Sequence, residues 1–203
     1  MTSEEDKPES TKTPNAIVRP LAYWIFGGLL AVVVLSLTMA FAPVSLKRLG
    51  LFFAVFGAAV GMVLNWLAGE LRLNRDRRLD VLCGTLTLLG MLNLTYASYQ
   101  QFHNAREQWA KEHPGDVAAI NALEKMTQAD PELAEQYKRE RSEYDPRFVD
   151  YLTHRTSALG EMPVSGAVAI WLGEIAVAIA ASVWMFRLPA RKFVESLEKT
   201  NAE

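Results

Sequence analysis

Hydrophobic and polar positions along this chain fall into long blocks. Four runs of about twenty apolar and small residues stand out: Leu21 to Ala42, Leu49 to Ala68, Val81 to Tyr99 and Val164 to Phe186. Each has the length a helix needs to cross a hydrocarbon core of ~30 Å at ~1.5 Å per residue. Charged segments separate them. The pattern predicts an all-α integral membrane protein with four transmembrane helices, and a short-helix extracytoplasmic insertion between the third and fourth.

Residues 1–19 are rich in Ser, Thr, Pro, Glu and Lys, a composition that cannot bury enough surface to order itself, so they read as a disordered cytoplasmic tail. The apolar run that follows is too long for a cleaved signal peptide and reads as an anchor that stays. Residues 20–99 hold the first three spans, 100–163 the extracytoplasmic segment, 164–187 the fourth span and 188–203 a cytoplasmic tail. Arg72, Arg75, Arg77 and Arg78 crowd the loop between the second and third spans, and Arg187, Arg191 and Lys192 follow the fourth. Basic residues near span ends favour the cytoplasmic side, which places both termini inside, across a plasma (inner) membrane. The arginine-rich loop acts first as a topology determinant, and second as a patch for anionic lipid or a partner.

The segment from Gln100 to Met162 reads as helices punctuated by proline. The third span continues outward to His113, where Pro114-Gly115 stops it. Asp116 is positioned to cap a second helix, and Asp130-Pro131 and Asp145-Pro146 each offer an N-cap followed by proline at the first helical position. Phe148, Leu152 and Leu159 share one apolar face of the last helix. The three histidines, His103, His113 and His154, lack a converging ligand spacing and read as surface residues, so no metal is expected. The single cysteine, Cys83, lies within a span and excludes an internal disulfide.

Chemistry, if present, belongs to intramembrane polar groups. Glu174 lies near the middle of the fourth apolar run. A carboxylate at such depth costs roughly 2.5–3.5 kcal/mol on insertion scales, so it faces a partner or a cavity. Counting residues outward along the third span and inward along the fourth puts Asn93 within roughly 5 Å of Glu174 in depth. The two are therefore expected to form an intramembrane polar pair, while Asn65 lies too far toward the cytoplasm to join. Gly57 and Gly61, four apart, form a small-xxx-small pair in the second span, and Ser165, Ala169 and Gly173 form a small-residue ridge in the fourth; both suit close helix packing.

The span arrangement is similar to that of tetraspanins, whose outer loop carries a Cys-Cys-Gly motif. The loop here contains no cysteine, and the chain is not assigned to that family. No nucleophile elbow, phosphate loop or dinucleotide fingerprint occurs, and no basic face with interleaved aromatics suggests nucleic acid. The expected function is a non-enzymatic scaffold, accessory subunit or assembly factor without a cofactor. Its partners would be the bilayer and a membrane protein or a second copy. The alternative is a small transporter or channel subunit using Glu174 to handle protons or cations.

Overall fold

The structure is a computed structural model that describes residues 15–43, 51–126, 146–157, 160 and 162–188, with residues 137 and 141. Every described element is helical: α1 (Asn15–Ala40), α2 (Leu51–Glu70), α3 (Arg77–Glu112), α4 (Pro114–Met126), α5 (Phe148–Thr156) and α6 (Val164–Arg187). Four of these, α1, α2, α3 and α6, are long and apolar enough to cross a membrane. The described residues thus form an all-helical structure with four membrane-competent helices.

Several boundaries shift from expectation. The first helix begins at Asn15, inside the segment expected to be disordered, and carries Pro20 in its second turn. As the sixth residue it lies beyond the first turn, where proline fits without loss, and it removes one backbone hydrogen bond from the helix. The 36-residue α3 is one continuous helix from the arginine-rich loop out to Glu112. Asp76 caps it, accepting from the Leu79 amide at 3.1 Å. Only His113 separates α3 from α4, which starts at Pro114, ahead of the expected cap Asp116. The N-cap of α5 is Arg147, two residues beyond Asp145; its amide donates to Asp150 Oδ2 at 2.9 Å. The expected helix at Asp130-Pro131 and the contribution of Leu159 lie outside the described residues.

One apolar core runs through the four long helices. α1 and α6 each pack against both α2 and α3. Residue pairs fix the directions. Trp24 Nε1 of α1 donates to the Leu64 carbonyl of α2 at 3.1 Å, and Val32 of α1 and Phe56 of α2 both lie beside Gly90, so these neighbours run antiparallel. Thr87 of α3 donates to Ser182 Oγ of α6 at 2.8 Å, and Trp171 Nε1 of α6 donates to Thr95 Oγ1 of α3 at 3.3 Å, again antiparallel. α2 and α6 run parallel, with Gly57 against Ala178 and Gly61 against Ser182.

A Cβ on Gly57 would overlap the Ala178 carbonyl, 2.7 Å from its carbon, and one on Gly61 would lie 2.9 Å from the Ser182 carbonyl carbon. The glycine pair therefore lets the α2 and α6 backbones touch within one chain. This close approach sets the α2–α6 register, and the register places everything else on α6.

A smaller cluster covers the end of the core that carries α4 and α5, here called the connector end. Tyr151 and Leu152 of α5 bury against Ala167 of α6, with Tyr99, Phe102, Phe148 and Trp171 around them. Tyr99 stands edge-on to Phe148 at 5.7 Å and to Tyr151 at 6.0 Å, the geometry aromatic pairs prefer. Its hydroxyl donates to the Pro146 carbonyl at 3.2 Å. α5 thus docks on α3 around Tyr99 and Phe102 and on the first turns of α6.

Candidate functional site

The site is built from α5 upward. Phe148, Tyr151, Leu152 and Arg155 are spaced i, i+3, i+4 and i+7, so they share one face of a short helix. Three bury apolar surface and the fourth carries a charge under the same cover. Arg155 is 9% exposed. Its Nη2 forms an ion pair with Glu174 Oε2, and the two side chains are only 7% and 12% exposed. The guanidinium carbon stands 4.7 Å from the centroid of the Phe53 ring on α2, within cation–π range. Burial pushes the Tyr151 phenol above its ordinary value, with the neighbouring Arg155 charge opposing. The site is an acid on α6, a base on α5 and an aromatic floor on α2.

The parallel α2–α6 register gives its depth. Stepping one turn back from the Gly57–Ala178 contact brings Phe53 level with Glu174. Glu174 therefore stands in line with the first described turn of α2, toward the end of the core that receives α5.

The structure does not bring Asn93 and Glu174 together. The antiparallel α3–α6 pairs do place them at the same level, as counting residues suggests. They point to different neighbours: Asn93 Nδ2 donates to Ser36 Oγ of α1 at 2.6 Å, and Glu174 turns to Arg155. Depth along a helix says nothing of direction around it, and α3 has α1 on one side and α6 on the other.

The other candidate residues separate by face. Gly57 and Gly61 face α6. Ser165, Ala169 and Gly173 are exposed, and a Cβ on Gly173 would meet nothing within 4 Å. That ridge points away from the core. Of the basic loop, Arg75 ties two helices together. Its Nη2 donates to Asn65 Oδ1, and its Nη1 to the Leu188 carbonyl at 3.3 Å. Asn65 Nδ2 itself donates to the Leu188 carbonyl at 2.9 Å and the Met185 carbonyl at 3.3 Å. Asn65 and Arg75 together satisfy the orphan carbonyls at the end of α6. Arg72, Arg77 and Arg78 are exposed at the same end.

The remaining polar side chains in the spans are engaged locally. Cys83 Sγ lies 3.2 Å from Ser182 Oγ, and Thr87 bridges Ser182 and the Cys83 carbonyl. These groups form separate knots at different depths. The cavity beside the ion pair, between Phe53, Thr95, Ser98 and Arg155, measures about 10 Å³, at the lower limit of what one water needs.

Arg155 is the functional residue that sequence reasoning misses, although its signal is present. A carboxylate inside an apolar run requires a partner, and Arg155 is a basic residue on the apolar stripe of the helix just before α6. No known protein family, curated protein or solved structure matches this chain.

Proposed function

We propose that this chain is a non-enzymatic integral membrane protein that acts as a scaffold, accessory subunit or assembly factor for another membrane protein. Both termini would lie on the cytoplasmic side of a plasma (inner) membrane, with α4 and α5 outside. The observation that carries the reading is the outward-facing ridge Ser165, Ala169 and Gly173 on α6. Small residues in a span let a second backbone approach closely, and α6 already uses its opposite face that way against Gly57 and Gly61. The transporter reading is less well supported, because Glu174 is committed to Arg155 and the other polar groups of the spans bond to one another in isolated knots.

The ridge is tested with Ala169→Leu and Gly173→Leu. Both positions are exposed, so stability should stay within about 0.5 kcal/mol of wild type, while partner recovery by in-membrane crosslinking should fall severalfold. A wild-type protein recovered only as a free monomer, or recovery unchanged in both variants, defeats the proposal. Sidedness is checked separately with reporter fusions after Arg78 and between residues 114 and 146. Opposite sides are expected, and the same side for both overturns the topology.

A further inference from the structure

A second groove, used by none of the polar pairs above, lies on the α3–α6 seam at the arginine-loop end. It is a shallow groove of about 450 Å³, open along the seam. Its mouth carries Arg77, Asp80 and Arg187, and its floor is apolar, with Val81, Gly84 and Leu88 from α3 facing Ile179 and Val183 from α6. On α3 these are the i, i+3, i+4, i+7 and i+11 positions of one stripe. From Arg77 to Leu88 is about 16 Å along the helix, close to the ~15 Å half-thickness of a hydrocarbon core. The groove is charged at one end, and its apolar part from Val81 to Leu88 runs for about 10 Å, roughly two thirds of one leaflet.

The charges at the mouth do not cancel. Arg187 donates from Nε at 3.2 Å and from Nη2 at 2.7 Å to Asp80 Oδ2, so this acid is matched by this base. Arg77 makes no hydrogen bond or ion pair among the described residues. It stands in the first turn of α3, where the helix macrodipole adds positive potential. Arg78 is exposed beside it. At the floor, Gly84 keeps the channel open: a Cβ there would only touch Ile179 Cγ2 at 3.4 Å and Val183 Cγ2 at 3.9 Å.

We propose that this groove binds one anionic glycerophospholipid, with its phosphate headgroup at Arg77 and one acyl chain over Gly84 between α3 and α6. The cationic mouth selects the headgroup's charge. The floor is apolar apart from Thr85, whose hydroxyl is bonded to the Val81 carbonyl, and it selects a lipid over a free anion. The site is independent of the ridge on α6 and of any protein partner.

The full chain, reconstituted in phosphatidylcholine vesicles containing phosphatidylglycerol, tests this with spin-labelled lipids of both headgroups at low salt. The wild type should prefer phosphatidylglycerol. Arg77→Gln, which breaks no contact among the described residues, should lower that preference about fivefold, the effect of roughly one basic residue at a charged surface. Gly84→Leu should fill the channel and reduce association of both labels, whereas Gly84→Ala should retain most of it. Circular dichroism and thermal unfolding confirm that each variant is folded. Equal association of both headgroups with the wild type overturns the proposal, as does a preference that neither Arg77→Gln nor Gly84→Leu changes. Loss on Arg77→Gln alone, with inorganic phosphate competing at millimolar concentration, reduces the site to a surface anion patch and also overturns it. Two copies crosslinked through Thr85→Cys would assign the groove to a second chain and overturn it likewise.

Discussion

Replacing Arg155 with Leu is expected to cost about 3–5 kcal/mol of stability, the range for removing one partner of a buried ion pair. The carboxylate left behind is on the short side chain of Glu174, fixed to α6 by the Gly57–Ala178 register and unable to reach water. The reverse change, Glu174→Leu, should cost less. Arg155 is long, sits near the connector end and can snorkel toward the surface once released. Replacing both with Leu should recover most of the loss, because apolar pairs often substitute for buried ion pairs without penalty. Denaturant unfolding in detergent measures the cycle, and trypsin cleavage around α5 reports whether that helix has undocked. Single effects that add within about 0.5 kcal/mol in the double variant would show the two groups to be uncoupled, and the ion pair would then hold nothing together.

The second large effect is expected from Gly57→Ala and Gly61→Ala. A methyl group is a small insertion, but here it meets backbone: the carbonyls of Ala178 and Ser182. Backbone in a helix cannot rotate aside as a side chain does, so α2 and α6 must separate. The loss should reach or exceed the ~1–3 kcal/mol of ordinary overpacking. Separation would also pull Phe53 from under Arg155, so these variants should loosen α5 although it lies outside the altered contact. Gly84→Ala is the control. Its new methyl finds a normal contact with Ile179, and the helix gains up to about 1 kcal/mol from lower backbone entropy. Similar stability for all three variants would refute the backbone contact at Gly57 and Gly61.

The spans are legible in the sequence because hydropathy and length are one-dimensional properties, and a membrane constrains both. Depth is legible too: Asn93 and Glu174 do lie level. What a residue count omits is azimuth, and azimuth sends Asn93 to Ser36 and Glu174 to Arg155. In a water-soluble helix, polarity would mark the outer face. In lipid, Ala and Gly suit both faces, so Ser165, Ala169 and Gly173 carry no sign of pointing outward while Gly57 and Gly61 point inward. Arg155 is hidden for another reason. The apolar stripe of its helix shows through Phe148 and Leu152, and a basic residue completing such a stripe resembles ordinary surface charge until the carboxylate opposite it is located.

The parallel pairing of α2 with α6 also has a consequence for biosynthesis. Asn65 and the Met185 carbonyl it binds are 120 residues apart in the chain. At about 5–20 residues per second, the ribosome needs roughly 6–24 s to make the later partner after the earlier one. Throughout that interval the Gly57–Gly61 face of α2 lacks its native partner helix and is open to any other helix with small side chains. A translational pause before α6 should therefore raise the yield of wrongly paired protein, whereas a pause after α6 should not.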